Sequence, residues 1–287
     1  MTDLETLVAE PWTGWGLIDC GNGQKLERYG PVTVVRPEPQ AMWAPGREDW
    51  NPDATFVPGS DAEGGGRWAQ HRPVPHQWEL ARDGVRFHAS LTPFRHLGFF
   101  PDMAPQWDWM RERAQDAEVL NLFGYTGVGT LLLSEAGARL VHVDASKKSV
   151  DQGKENARLS GLHEKSIRWM VDDASKFTAR EVRRGRRYDG ILLDPPKFGR
   201  GPTGEVWRLE ENLPPLLADC RGLLDRNSRF LVLTVYAVRM SALAIGELVK
   251  QALGELGGSV EMGEMAVREE ARGLLLPTAI FARWKRD

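Results

Sequence analysis

Short apolar runs alternate with longer segments of mixed polarity over the second two thirds of the chain. Apolar runs bounded by turn residues are typical of buried strands, and the longer segments have helical spacing. The predicted strands are 118–123, 139–143, 167–171, 190–193, 230–235, 260–267 and 278–284. The predicted helices are 107–113, 128–136, 149–160, 174–184, 213–224 and 242–256. This alternation predicts an α/β fold, with a parallel sheet covered by helices on both faces.

The N-terminal part of the chain follows a different pattern, which is rich in Trp, Pro and Gly. Short alternating stretches at 16–19 and 31–35 are separated by turn residues, which predicts a small β-rich domain. Three glycines and two prolines make 62–76 the predicted mobile loop. We therefore divide the chain into an N-terminal β-rich domain at 1–88 and an α/β domain at 89–287.

Composition narrows the class of protein. The chain has 287 residues, of which 41% are hydrophobic and 27% charged, and no apolar run is long enough to span a membrane. The N-terminus lacks a signal-peptide pattern, so a cytoplasmic protein is expected. The net charge of −3 argues against binding nucleic acid through bulk charge, although a local basic patch stays possible. The two cysteines form no metal-binding pattern, so no metal site is predicted, and the oligomeric state stays open.

A glycine-rich turn follows the first strand of the predicted sheet. Gly124, Gly127 and Gly129 lie between that strand and the next helix. Glycine permits positive φ and lets a ligand approach the backbone closely. The alternative is a tight strand-to-helix turn that binds nothing.

Acidic residues follow the next two strands. Asp144 ends the second strand, where a carboxylate can accept hydrogen bonds from both hydroxyls of a ribose. Asp173 follows the third strand, where it could accept from an adenine amino group. Both residues could instead cap the helices that follow them.

The fourth strand ends in the most specific motif of the chain, Asp194-Pro195-Pro196-Lys197-Phe198. Two consecutive prolines stiffen a turn, because each lacks an N–H and has a restricted φ. The turn could aim Asp194 and nearby carbonyls at a planar amine, with Phe198 stacked on the base. A rigid structural turn is the alternative.

These motifs together resemble the class I S-adenosylmethionine-dependent methyltransferases, and in particular the bacterial large-subunit ribosomal RNA methyltransferases. The stretch 121–127 resembles the family's first motif, 143–146 with Asn156 its second, and 92–102 its pre-sheet motif. The resemblance covers roughly residues 90–285. It implies a Rossmann-like sheet of seven strands, of which the last is antiparallel, and S-adenosylmethionine as cofactor.

The resemblance and the motifs select two sets of residues. The predicted catalytic residues are Asp194, Pro195 and Phe198. The predicted cofactor-binding residues are Phe100, Phe123, Gly124, Tyr125, Thr126, Gly127, Asp144, Ala145, Ser146, Asn156, Asp173, Ala174 and Asp194.

This sequence departs from the family in two places. Relatives often have Asp-Gln-Arg in the pre-sheet motif, where this chain has Asp102-Met103-Ala104. Methylation of cytosine C5 requires a cysteine thiolate, and the segment after the fifth strand lacks one. Cys220 lies on a helical stripe of leucines, which predicts a buried structural role. A base nitrogen is therefore the favoured methyl acceptor.

Evidence for an RNA partner within the sequence is local. A basic cluster could follow a phosphate backbone, or it could be a solvated helix face and loop. Its members are Lys176, Arg180, Arg183, Arg184, Arg186 and Arg187. Eight of the 11 tryptophans lie in the first 110 residues, where they could stack on unpaired bases or pack a small β domain.

Four functions stay open at this point. The first is methylation of ribosomal or other RNA, and the second is methylation of a protein side chain or small molecule. The third is a nicotinamide-dependent oxidoreductase, which the Asp194-Pro195-Pro196 segment disfavours. The fourth is a binding module that retains the cofactor pocket without catalysis.

Overall fold

The computed structural model describes residues 3–59, 65–236 and 239–286. The strands are β1 (Glu5–Ala9), β2 (Trp15–Gly21), β3 (Gln24–Tyr29), β4 (Val32–Pro37), β5 (Ala54–Pro58), β6 (Gly66–Gln70), β7 (Trp78–Arg82), β8 (Val85–Ala89), β9 (Glu118–Leu122), β10 (Arg139–Asp144), β11 (Ile167–Val171), β12 (Gly190–Leu193), β13 (Phe198–Arg200), β14 (Val206–Arg208), β15 (Phe230–Tyr236), β16 (Ser259–Arg268) and β17 (Leu275–Lys285). The helices are α1 (Ala104–Arg111), α2 (Val128–Glu135), α3 (Lys147–Leu159), α4 (Ala174–Arg183), α5 (Leu209–Leu223) and α6 (Ala242–Leu253), with short 3₁₀ helices at Pro101–Met103 and Gly254–Leu256.

The chain forms two compact units. The first comprises Met1–Leu7, Pro105–Met265 and Thr278–Asp287, and the second comprises Val8–Ala104 and Ala266–Pro277. The second unit therefore includes a segment from near the C-terminus.

The first unit is built on an eight-stranded sheet with the order β1-β16-β17-β15-β12-β9-β10-β11. Strands β15, β12, β9, β10 and β11 are parallel, and β17 runs antiparallel to β15. The α/β fold and the antiparallel last strand are confirmed. The sheet has the seven predicted strands and one more, because β1 from the N-terminal region joins the edge beside β16.

The predicted elements of this unit lie close to the observed ones because their apolar runs are buried. All four residues of β12 are buried, and so are four of the five residues of β9. Helix α5 buries the predicted leucine stripe together with Cys220, which is 0% exposed. That helix begins at Leu209, earlier than predicted, and the hairpin formed by β13 and β14 was not predicted.

The second unit contains a five-stranded sheet, β2-β3-β4-β5-β6, and the two-stranded sheet β7-β8. Part of the predicted mobile loop 62–76 is ordered as β6, which pairs with β5, so that prediction is wrong there. Its first residues, 62–64, lie outside the described residues. Pairing with β5, the preceding strand, holds β6 in an extended conformation although the strand begins at a glycine.

The tryptophans of the second unit pack within it. Trp15 and Trp78 are buried, and their indole N–H groups donate to Glu27 and to the carbonyl of Tyr29. Trp50 donates to Asp19 over 2.8 Å. Of the 11 tryptophans of the chain, five are buried in the core and six are partly buried.

No helix within the described part of the chain is long and apolar enough to cross a membrane.

Candidate active site

The predicted site segments meet at one edge of the sheet. The neighbouring strands β12, β9, β10 and β11 are parallel, with Leu193 paired to Leu122 and Val143 paired to Leu122. Their carboxyl ends therefore lie side by side, which is where open α/β sheets bind ligands. The glycine turn follows β9, so it lies between the ends of β12 and β10.

The glycine turn has an unusual backbone. Phe123, Tyr125 and Gly127 have φ values of +59°, +49° and +80°. Two of these are non-glycine residues, for which positive φ is uncommon and costly unless the surroundings hold it. The N–H of Gly124 donates to Val143, and that of Gly127 donates to Gly124, each over 3.0 Å. These hydrogen bonds hold the turn against the end of β10.

Gly124 is required by a close approach to a histidine. A Cβ at this position would lie 2.5 Å from both Cε1 and Nδ1 of His142. Gly127 combines its positive φ with a hypothetical Cβ only 3.1 Å from the ring of Trp169. The motif glycines therefore allow the turn to pack on side chains from β10 and β11.

His142 belongs to a buried polar chain beneath the turn, which sequence reasoning missed. Its Nδ1 lies 2.9 Å from Oγ1 of Thr130, which accepts a 2.8 Å hydrogen bond from the amide of Asn121. Burial lowers the pKa of His142 to about 3, with an opposing effect from the backbone of Tyr125. The imidazole is therefore neutral at physiological pH. A histidine in an otherwise apolar strand was the available signal.

Asp144 is held by two backbone hydrogen bonds. Its Oδ2 accepts from the N–H of Tyr125 and its Oδ1 from the N–H of Ser146, both over 2.8 Å. Burial raises the pKa of the carboxyl group, and these two hydrogen bonds partly oppose the shift. Each carboxylate oxygen can accept a second hydrogen bond, so the side chain fits the predicted contact with ribose hydroxyls.

Two further predicted cofactor residues support the turn and the helix after β10. The buried amide of Asn156 donates to the carbonyl of Thr126 over 3.0 Å. Ser146 caps α3 by accepting from the N–H of Ser149, and Ala145 lies between this cap and Asp144. Asn156 thus positions the glycine turn from within the core.

Asp173 caps α4, which was the alternative considered for it. Its Oδ1 accepts from the N–H of Lys176 over 2.9 Å, and Ala174 is the buried first residue of the helix. The neighbouring Asp172 forms an ion pair with Arg180. Capping engages one oxygen of Asp173, which leaves the predicted adenine contact compatible with it.

The Asp194-Pro195-Pro196 segment follows β12 and is held by Trp207, a residue that sequence reasoning missed. The indole N–H of Trp207 donates to the carbonyl of Pro196 over 2.7 Å. Its ring lies 4.9 Å from that of Phe123, measured between centroids. Asp194 is partly buried and Pro195 is buried. Trp207 therefore joins the proline segment to the glycine turn.

The two remaining predicted residues, Phe198 and Phe100, are aromatic. Phe198 is 44% exposed at the start of β13, so its ring is accessible to a stacked base. Phe100 precedes the first 3₁₀ helix and belongs to the second unit, so its cofactor contact stays a prediction.

Most of the basic cluster is already paired with carboxylates. Lys176 pairs with Glu205, Arg180 with Asp172, Arg184 with Glu181, and Arg186 with Glu118. These ion pairs reduce the positive charge that is available to a phosphate backbone. They therefore favour the interpretation of the basic cluster as a solvated helix face and loop.

The residues at the sheet edge fit S-adenosylmethionine. Three kinds of feature lie side by side at this edge. The carboxylate of Asp144 supplies hydrogen-bond acceptors, and the strained glycine turn lets a ligand approach the backbone closely. The first turns of α2 and α4 begin beside them. Asp194 lies after β12, the strand next to the turn. Among the described residues, no group of three or more His, Cys, Asp or Glu side chains could hold a metal ion.

An open α/β sheet with this turn and these acidic strand ends is typical of Rossmann-like proteins that bind a nucleotide cofactor. Residues 56–228, more than half of the chain, match the family described as S-adenosylmethionine-dependent methyltransferase. The chain belongs to this family. Membership of this family argues against the alternative of a nicotinamide-dependent oxidoreductase.

A solved structure and two curated relatives illustrate the similarity. The chain is 42% identical to a SAM-dependent methyltransferase from Agrobacterium tumefaciens, with a TM-score of 0.91, covering 100% of this chain and 98% of that one. It is 29% identical over 149 residues to the ribosomal RNA large subunit methyltransferase I of Aeromonas salmonicida, covering 52% of this chain and 35% of that protein. The protein of the same name from Tolumonas auensis is 30% identical over 146 residues, covering 50% and 34%. The match spans about a third of the length of these two relatives.

Proposed function

We propose that this methyltransferase acts on a nucleobase of RNA, that ribosomal RNA is its substrate, and that a nitrogen atom is the acceptor. The observation that carries the proposal is the rigid Asp194–Phe198 segment beside the glycine turn, held there by Trp207. The names of the curated relatives support RNA as the substrate.

The chemistry needs little from the protein beyond alignment. When bound, S-adenosylmethionine supplies a methyl group on a sulfonium, whose sulfur leaves with the bonding electron pair. Asp194 would orient the acceptor and take the proton that an exocyclic amine loses. Pro195 would fix the direction of that carboxylate, and Phe198 would stack on the base. Holding the reactants in line accounts for most of the expected rate enhancement.

The other predicted residues would hold the cofactor. Asp144 would accept from the ribose hydroxyls, and Asp173 from the adenine amino group. The backbone of 123–127 would contact the cofactor closely, and Phe100 would cover its methionine end. Ala145, Ser146, Asn156 and Ala174 would shape the ends of the strands that carry these contacts.

The state of the two cysteines favours a nitrogen acceptor over cytosine C5. Cys20 and Cys220 are free and buried, with 0% exposure. Burial raises the pKa of Cys20 to about 12, and burial also raises the pKa of Cys220. The predominant form of each is therefore a thiol without access to a base, whereas addition to C6 of cytosine requires a thiolate.

The domain at 1–88 would take part in substrate recognition, and the cytoplasm is the compartment where ribosomal RNA would meet the enzyme. Free cysteines fit a reducing compartment. The alternative to methylation of RNA is methylation of a protein side chain or a small molecule.

Nucleoside mass spectrometry tests the proposal. Ribosomal RNA from a deletion strain should lack one methylated nucleoside, and the purified enzyme with S-adenosylmethionine should restore it. An Asp194→Asn enzyme should fail to restore it. If the nucleosides of wild-type and deletion strains are the same, while the enzyme methylates proteins or small molecules in an extract, the RNA assignment is wrong.

A further inference from the structure

The hairpin formed by β13 and β14 has two chemically different faces. In its antiparallel register, Phe198 pairs with Arg208, Gly199 with Trp207, and Arg200 with Val206. Directly opposed residues lie on the same face, and successive residues alternate between faces. Trp207 is buried on the inner face, where its ring packs against Phe123 of the glycine turn.

The outer face combines apolar surface with positive charge. Phe198 is 44% exposed and Val206 is 48% exposed, and both belong to the few large exposed apolar side chains of the described residues. Arg200 and Arg208 lie beside them and are exposed. Arg200 forms no ion pair with a carboxylate of the described residues.

Arg208 is also available to a ligand. It pairs with Glu211 over 3.0 Å, and both side chains are more than half exposed. Exposed ion pairs of this kind contribute little free energy, so a phosphate can replace the carboxylate. The backbone N–H of Arg208 donates to the side-chain amide oxygen of Asn212. This hydrogen bond fixes the end of β14 and leaves the guanidinium group of Arg208 uninvolved.

The hairpin is anchored at both ends, so its outer face is preorganised. At the base, the N–H of Leu209 donates to the carbonyl of Lys197 over 3.0 Å. At the loop, Glu205 accepts from the N–H of Thr203 over 2.9 Å and forms an ion pair with Lys176 of α4. A surface fixed in this way loses little conformational entropy when it binds.

An unpaired nucleic acid strand matches this surface better than an apolar partner. Phe198 can stack on a base, and guanidinium groups both neutralise phosphates and stack on bases. The positive charges of the two arginines, which flank the two apolar side chains, are complementary to the negative charges of the phosphates. Phe198 follows Asp194 by four residues, so a strand on this face would lead into the proposed site.

We propose that the outer face of the hairpin, formed by Phe198, Arg200, Val206 and Arg208, binds the single-stranded RNA segment that carries the target base. This inference rests on the proposed function and names the surface that guides its substrate. Phe198 stacks on the base to be methylated, as in the proposed function, and the two arginines contact the phosphates of the adjoining nucleotides.

Fluorescence anisotropy with a short single-stranded RNA, in the presence of S-adenosylhomocysteine, tests this surface. The full-length chain is compared with R200Q/R208Q and with the charge-matched control R183Q/R187Q, whose arginines belong to the basic cluster. We expect R200Q/R208Q to bind at least about five-fold more weakly and its salt slope to fall by about 1.4, or 0.7 for each lost phosphate contact. The control should keep both values.

The aromatic contribution needs its own pair of variants. Phe198→Leu should weaken RNA binding by about five-fold or more, while Phe198→Tyr should retain it, because stacking requires a flat ring. Calorimetry with S-adenosylhomocysteine checks that every variant keeps the cofactor site.

The outcomes separate this inference from the proposed function. Equal RNA affinity and salt slope for wild type and R200Q/R208Q would overturn the hairpin surface alone, as would loss of binding confined to R183Q/R187Q. A dimer that dissociates in Phe198→Leu would show that a second copy of the chain covers the face instead. If the wild type binds S-adenosylhomocysteine but no RNA at low salt, the proposed RNA function fails together with the hairpin.

Discussion

The indole ring of Trp207 lies 4.9 Å from the ring of Phe123, and its N–H donates to Pro196 over 2.7 Å. One side chain thus connects the glycine turn to the segment that carries Asp194. This contact adds to the pairing of β9 with β12, which places the ends of the two strands side by side.

Trp207→Phe should lower kcat more than cofactor affinity. The substitution keeps an aromatic ring beside Phe123 but removes the hydrogen bond to Pro196, at a stability cost of about 1–3 kcal/mol. Trp284→Phe is the matched control, because Trp284 is buried and donates to Gly257 over 2.7 Å. Steady-state kinetics and thermal melting compare the two; equal losses of kcat would mean that only stability matters.

Gly124→Ala should abolish cofactor binding. The added methyl group would lie 2.5 Å from the ring of His142, which Thr130 holds, so overpacking should cost about 1–3 kcal/mol or displace the turn. Gly254→Ala is the control, with φ of −55° and no atom within 4 Å of the added Cβ. That variant should be neutral or slightly stabilised. Calorimetry with S-adenosylmethionine decides, and undiminished affinity of Gly124→Ala would refute the close-approach explanation.

Asp144→Ala should weaken binding of S-adenosylmethionine by about 1–3 kcal/mol, the scale for a lost partner of buried polar groups. Asp189→Ala is a useful control, because its carboxylate accepts from the N–H of Glu118 at the opposite end of β9. If both variants bind the cofactor as tightly as the wild type, Asp144 does not contact the ribose.

Acidification should weaken cofactor binding at a higher pH than an ordinary aspartate would produce. Burial raises the pKa of Asp144, so its carboxylate takes up a proton before exposed aspartates do as the pH falls. Protonation removes the acceptor proposed for the ribose. Affinity measured across mildly acidic pH should fall in the wild type and stay flat in Asp144→Ala.

The buried His142 should make stability fall in acid. Its pKa is about 3 when folded and near 6.5 when unfolded, so the unfolded chain binds the proton first. Its stabilising contribution is therefore complete above pH 6.5 and is lost as the pH falls toward 3. The free energy of unfolding of wild type, relative to His142→Asn, should drop by about 1.4 kcal/mol per pH unit in this window. Denaturant unfolding at several pH values measures it; parallel curves would contradict the buried neutral imidazole.

Asp194→Asn should remove methyl transfer while the enzyme still binds S-adenosylmethionine. The amide has nearly the same shape but cannot accept a proton from an exocyclic amine. Single-turnover transfer of a labelled methyl group measures the step. Unchanged turnover would exclude Asp194 as proton acceptor and would favour a ring nitrogen that has no proton to lose.

Local pattern was enough to predict the sheet of the first unit. Buried strands such as β12 are continuous apolar runs, and glycines or acids end them, so strand order along the chain and the edge with the site residues could be anticipated. The motif residues Gly124, Asp144 and Asp194 follow from the same local pattern, because each lies at the end of a strand or within two residues of it.

Only the tertiary structure decided which side chains hold those motifs in place. Thr130 and His142 are near the motif residues in sequence, but they contact each other only because β9 and β10 are neighbours in the sheet. Trp207 is distant in sequence and reaches Phe123 and Pro196 because the β13–β14 hairpin folds back. The same holds for β1, which lies beside β16 from the opposite end of the sequence. Periodicity encodes which residues are buried, whereas packing between distant segments determines what they are buried against.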